Sequence, residues 1–193
     1  MPEYLKNIKK TLLSDNWATL HKVTYDYLDS KGNWEPQVRE VYDRGNGAAV
    51  ILYNREKNTV VLTEQFRIPT YFNGNPSGML IEVCAGLLDD HDAETAIKKE
   101  IEEETGYHIS NVESVMELYM SPGSVTETVH LFMAAYSAQD KVSDGGGINE
   151  EQEDILVHEY AFAKAYNMIK TGEIKDAKTV ILLQHLKLQG ILS

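Results

Sequence analysis

The sequence predicts an α/β fold, a mixed β-sheet covered by helices, and three observations carry that expectation. Short apolar runs bounded by Gly, Asn, Asp and Pro recur over the first two-thirds of the chain and read as strands. One long segment with helical apolar spacing, beginning near Asp92 or Ala93 and closing at Thr105-Gly106, interrupts them. Two further helix-spaced segments end the chain. With 193 residues this is one domain, or one domain with a small extension. Its 30 acidic and 18 basic residues, net −12, argue against nucleic acid and anionic membranes as partners. The single cysteine, Cys84, excludes an internal disulfide and fits a cytoplasmic protein; between Val83 and Ala85 it reads as a buried, inert thiol. The start, MPEYLKNIKKTLLSD, has no apolar core of signal-peptide length. No run approaches the ~18 apolar residues of a membrane span.

In chain order, Ile8 to Tyr42 reads as extended, with Ser30-Lys31-Gly32-Asn33 as a hairpin turn and Gln37–Tyr42 as its second strand. The expectation is an N-terminal β-hairpin extension over residues 1–43, ahead of a main domain over 44–193. Trp17, in a polar neighbourhood, either packs on the domain or stacks on a base or partner subunit. After the turn DRGNG, Ala48–Tyr53 reads as a buried strand and Thr59–Gln65 returns it. Arg67 follows at a strand end, suited to clamping phosphate or pairing with an acid. Tyr71–Gly78 reads as a polar loop and Met79–Leu88 as one strand. Val112–Leu118 and Thr126–Tyr136 read as strands joined by Ser121-Pro122-Gly123, with Glu127 inside the second. Gly145-Gly146-Gly147 opens a flexible loop ending in Glu150-Glu151-Gln152-Glu153-Asp154, which can close an active site and bring it a carboxylate. Ile155–Val157 is a short strand, Phe162 to Gly172 a helix, and the last helix, from about Lys178, is apolar around most of its circumference. The six histidines show no metal-ligand spacing.

The informative stretch is Ala85 to Tyr107, AGLLDDHDAETAIKKEIEEETGY. With Ile97 at the centre of the apolar stripe, Ala93 and Ile101 lie about 40° to either side at ~100° per residue. Glu104 then falls only about 20° from that centre, Glu100 about 60° and Glu103 about 120°. Lys98, Lys99 and Glu102 take the exposed side. Two acids one turn apart therefore point towards the packed side, where charge is costly unless paired or bound to a cation. A hard cation such as Mg²⁺ suits them, since it takes one or two carboxylates and keeps positions for water and phosphate.

This stretch resembles the signature box of the Nudix hydrolases, a Gly-led loop and helix ending in R-E-U-x-E-E-x-G-U. Lys99-Glu100-Ile101-Glu102-Glu103-Glu104-Thr105-Gly106-Tyr107 matches its second half, with Lys for the usual Arg. Counted from Gly86 the loop is one residue short, and Asp92 stands loosely for an early Glu. Beyond the box, DRGNG, EQFRIP, ELYMSPG, the GGG loop and TGEIKDAKT are similar to the GDP-mannose pyrophosphatase branch, which lies close to the ADP-ribose pyrophosphatases. The resemblance implies an α/β/α sandwich and Mg²⁺-dependent hydrolysis of GDP-mannose to GMP and mannose 1-phosphate. It also implies a homodimer that exchanges its N-terminal strands. It assigns the metal to the carbonyl of Ala85, Glu100, Glu104 and Glu153, with Glu150 or Glu151 as alternatives to Glu153. Catalytic work goes to Glu153, Glu103 and Glu104. Substrate contacts fall to Trp17, Val38, Arg39, Glu40, Arg67, Ala85, Gly86, Leu87, Glu104, Glu127, Gln152, Glu153 and Lys178. The sequence also admits ADP-ribose hydrolysis by the same chemistry, and a non-catalytic nucleotide-sugar sensor.

Overall fold

The computed structural model describes residues 3–148 and 152–193. Its chain forms two compact units, Met1–Asn46 with Tyr119–Thr128, and Gly47–Leu118 with Val129–Ser193. Among the described residues, no helix is long and apolar enough to cross a membrane.

The first unit is a three-stranded antiparallel sheet, β1 (Leu5–Asp15), β2 (Thr19–Leu28) and β3 (Trp34–Asp43), in that order. The β2–β3 turn sits where the sequence places it. Asp29 accepts the backbone N–H groups of Lys31 and Asn33, both at 2.8 Å, and Gly32 takes φ +82°. The expected two-stranded hairpin is corrected by β1. That strand is exposed along nearly its whole length, so no buried face imposes the period-two pattern by which strands are recognised. The segment after Tyr119 joins this unit through a parallel bridge of Tyr42 to Val125.

The second unit is built on a mixed sheet, ordered β10-β5-β4-β9-β8. β4 (Gly47–Asn54) is buried at all eight positions and runs parallel to β9 (Thr128–Ala135) and antiparallel to β5 (Thr59–Phe66). β8 (Glu113–Tyr119) and β10 (Leu156–Ala161) are the outer strands. Ala48, Val50 and Leu52 of β4 meet Ile97 and Ile101 of the box helix in one core cluster. Alternation turns Ala49, Ile51 and Tyr53 to the other face. The last helix, Ala177–Leu188, packs on β4 with Leu182, Leu183 and Leu186 fully buried, and the helix Phe162–Thr171 packs beside it. The result is the expected α/β/α sandwich.

Four local expectations are corrected. Ile68–Phe72 is a short helix, α1, which takes Tyr71 and Phe72 from the loop read over Tyr71–Gly78; Pro69 suits its first turn. The strand predicted over Met79–Leu88 is two, β6 (Met79–Glu82) on β5 and β7 (Cys84–Leu87) on β4. They part at Val83, whose N–H leaves the ladder to donate to Thr179 Oγ1 at 2.8 Å. The strand expected from Thr126 starts at Thr128, so Glu127 precedes it. The short strand predicted at Ile155–Val157 is β10, running on to Ala161.

Candidate active site

The box helix, α2 (Ala93–Glu100), starts on Asp92, whose Oδ1 accepts the N–H groups of Glu94 and Thr95 at 3.1 and 3.0 Å. It continues as one π-helical turn, Ile101–Thr105, and stops at Gly106 with φ +72°. Such turns widen the helix by a residue and recur at functional sites. Here the turn carries Glu103 and Glu104. The glycine loop that the sequence reading takes as flexible is instead fastened to the end of this helix. Gly146 N–H donates to the Glu104 carbonyl at 2.9 Å and Gly147 N–H to that of Glu103 at 3.1 Å, satisfying carbonyls that a helix end leaves open. A Cβ on Gly145 would lie 2.5 Å from the Glu104 carbonyl oxygen, so this approach requires glycine.

That docking delivers Glu153. Its Oε2 accepts the N–H of Ile148 at 3.0 Å, and a Cβ on Gly147 would lie 2.5 Å from the same oxygen. From the other side Glu100 lies over Gly86 so closely that a Cβ there would collide with its carboxylate. Glu104 is 2% exposed, with Oε2 accepting the N–H of Ala85 at 3.3 Å. Burial pushes its carboxyl up to about 8; the Cys84 thiol and the Ala85 N–H pull it back, while the charges of Glu100 and Glu153 raise it further. Cys84, fully buried, is itself held well above the usual thiol range by burial and by Glu104, which makes it the inert thiol expected. Glu103 stands apart, paired with Lys99 at 3.3 Å.

Three acids thus converge in charge. Among the described residues, no group of three or more His, Cys, Asp and Glu side chains is already set as a metal cage. Mg²⁺ does not need one, because it binds one or two carboxylates directly and keeps water for the rest. The donor set, all oxygen, and the mutual repulsion at a buried carboxylate fit such an ion.

A second cluster gathers the cations. Arg67 Nε meets Glu82 Oε2 at 2.6 Å, and Lys178 Nζ lies 3.3 Å from Glu82 Oε1 and 2.7 Å from Asp176. Burial lowers the proton affinity of Lys178, but Asp176 and Glu82 more than offset it, so the side chain stays charged. Sequence reasoning missed Glu82. The available signal was an acid inside the apolar run MLIEVCAG, which has to find a cation once buried.

Trp17, Val38, Arg39, Glu40 and Glu127 belong to the first unit. Trp17 is 69% exposed, with the Arg44 guanidinium 5.2 Å from its ring centroid, and Arg44 also pairs with Glu127 at 3.3 Å. Arg39 donates to the Val38 carbonyl and to Gln37, and borders a cleft of about 730 Å³ with Tyr25, Val41, Tyr119 and Pro122. Gly86 and Leu87 lie on β7, and Gln152 is exposed with φ +59°. Glu150 and Glu151 lie outside the described residues.

Compared with known proteins, residues 5–42 match the model of the GDP-mannose pyrophosphatase NudK N-terminal domain, and residues 43–181 match that of the NUDIX domain. The chain is 53% identical over 188 residues to a GDP-mannose pyrophosphatase of Yersinia enterocolitica, covering 97% of each. It is 54% identical over 185 residues to one of Cronobacter sakazakii, covering 96% of each, and 52% over 192 residues to one of Escherichia coli O157:H7, covering both chains whole.

Proposed function

This chain belongs to the Nudix family, and from that premise we propose that it is a Mg²⁺-dependent pyrophosphohydrolase that cleaves GDP-mannose to GMP and mannose 1-phosphate. The observation that carries the chemistry is buried Glu104, whose proton the charges of Glu100 and Glu153 help to hold, with Glu100 lying over Gly86. The choice of substrate is supported by whole-length identity above 50% to GDP-mannose pyrophosphatases and by the matching N-terminal segment. In this reading the Ala85 carbonyl, Glu100, Glu104 and Glu153 hold the metal. When bound, Mg²⁺ supplies an acidified water and offsets charge on the diphosphate. Glu153 accepts the water's proton at Oε1, its Oε2 being engaged by Ile148 N–H. Glu103, tied to Lys99 and partly exposed, is the weaker candidate for that role. Arg67 and Lys178 hold the diphosphate, with Gly86, Leu87, Glu127 and Gln152 as further contacts.

Trp17 stacks on the guanine, and Val38, Arg39 and Glu40 reach it from a second copy of the chain. Residues 1–43 serve as the dimerisation extension and 44–193 as the hydrolase domain, in a homodimer that exchanges N-terminal strands. Support comes from the first unit: none of residues 3–46 is buried, and Tyr4, Ile8, Leu12 and Leu13 expose apolar surface for a partner to cover. The free, buried Cys84 fits a reducing cytoplasm.

The test is a side-by-side assay of GDP-mannose and ADP-ribose in Mg²⁺ with products separated by chromatography. Faster release of GMP and mannose 1-phosphate is expected. Faster cleavage of ADP-ribose would keep the metal chemistry and overturn the substrate; binding of either without turnover would leave only a sensor.

A further inference from the structure

Glu82 has none of the roles assigned so far, yet it is 3% exposed at the end of β6. A buried carboxylate is tolerated only with partners, and its partners are the two cations proposed to hold the diphosphate. Its oxygens are divided between them, Oε2 to Arg67 and Oε1 to Lys178. Arg67 docks through Nε, which leaves its two terminal nitrogens for a ligand. Lys178 is gripped from another side by Asp176, and Asp176 is itself fixed as the cap of the last helix, accepting Thr179 N–H at 2.9 Å and Thr179 Oγ1 at 2.7 Å. Thr179 Oγ1 in turn accepts the N–H of Val83, the residue after Glu82. The links close a ring: Glu82, Lys178, Asp176, Thr179, Val83.

An acid between two phosphate-binding cations weakens their attraction for an anion, so its place there is explained by geometry rather than charge. Arg and Lys have many rotamers to lose on gripping a ligand, and a ring that fixes them beforehand removes that cost from binding. We propose that Glu82 is a positioning residue that sets the spacing of Arg67 and Lys178 to that of a diphosphate. The proposal rests on the diphosphate-hydrolase reading above.

Four proteins test it: wild type, Glu82→Gln, Arg67→Ala and the double variant, each measured for GDP-mannose turnover, GDP affinity by calorimetry in Mg²⁺, and melting temperature. Glu82→Gln should lower kcat/KM about tenfold, chiefly through KM, and weaken GDP by a similar factor. In the Arg67→Ala background the same change should cost about threefold or less. An equal loss in both backgrounds, or a change within about twofold in the first, overturns the proposal. Should the glutamine variant melt below the assay temperature, Glu82→Asp, which keeps the charge but withdraws it by one methylene, carries the same comparison. A wild type that turns over no nucleotide sugar, but whose GDP affinity falls with Glu82→Gln, keeps this proposal and overturns the hydrolase reading. A wild type that binds no GDP overturns both.

Discussion

β1 and β4 are strands of opposite surroundings: β1 carries four apolar residues among its 11 positions, β4 six among its eight. All eight residues of β4 are buried, whereas β1 has none buried and leaves Ile8, Leu12 and Leu13 between 45% and 53% exposed. β1 holds its place by ladder hydrogen bonds to β2 and contributes little burial in a single chain. β4 supplies the core on both faces, and that surplus lets the same unit tolerate a buried, repelled carboxylate at Glu104. One region lacks burial and the other offsets an unfavourable site with it.

The largest effect should come from Glu104→Gln, which separates function from stability within the buried unit. Turnover should fall by about 10³-fold, since a charged ligand of the metal is lost. Without metal, at pH above about 4.5, the melting temperature should rise, because an amide folds without first having to take up a proton. A melting temperature that falls would show that Glu104 is not strained in the free protein. The same group fixes a pH dependence. Its folded value, about 8, lies above the ordinary 4.5, so between those values the folded chain holds a proton that the unfolded chain has lost. The contribution of Glu104 to metal-free stability is therefore complete below about pH 4.5 and declines as pH rises towards about 8. Denaturant titrations at several pH values should show that slope in the wild type and not in Glu104→Gln.

Paired deletions test the contrast between strands. Ile51→Ala, at a fully buried site, should cost about 3 kcal/mol in urea denaturation. Ile8→Ala should cost less than about 0.5 kcal/mol in a single chain. If a second copy covers β1, the cost of Ile8→Ala instead grows with protein concentration and sedimentation shows a weaker dimer. A large cost at every concentration would place Ile8 in a core of its own chain.

The legible parts of the sequence were those whose physics is local. Asp92 and Gly106 mark the ends of the box helix by capping chemistry, and the spacing of Glu100 and Glu104 to Ile97 places both acids on its inner side. β4 was legible because burial on two faces leaves an unbroken apolar run. What stayed hidden depends on distant partners. Glu82 is explained by Arg67, 15 residues before it, and Lys178, 96 after it. The break at Val83 depends on the hydroxyl of Thr179. The glycine loop looks free in sequence because its contacts are backbone groups at the end of another element. β1 was read as extended only from Ile8 and not as a third strand of the sheet, since a strand without a buried face carries no periodic signal.

The smallest change worth making is Gly86→Ala. Gly86 has no left-handed backbone to forbid a side chain, and it pairs with Ala48 in an ordinary ladder. The nearest atoms to its added methyl would be the carboxylate and Cγ of Glu100, a side chain rather than backbone. Stability should therefore change by less than about 0.5 kcal/mol. Glu100, however, could not return to its place beside Glu104. Mg²⁺ affinity, from the metal dependence of turnover, should fall about tenfold, with kcat at saturating metal largely restored. An unchanged metal requirement would remove Glu100 from the site; a loss of stability in step with activity would show that the methyl disturbs the β4–β7 ladder, placing that strand pair at the limit of what the buried unit can absorb.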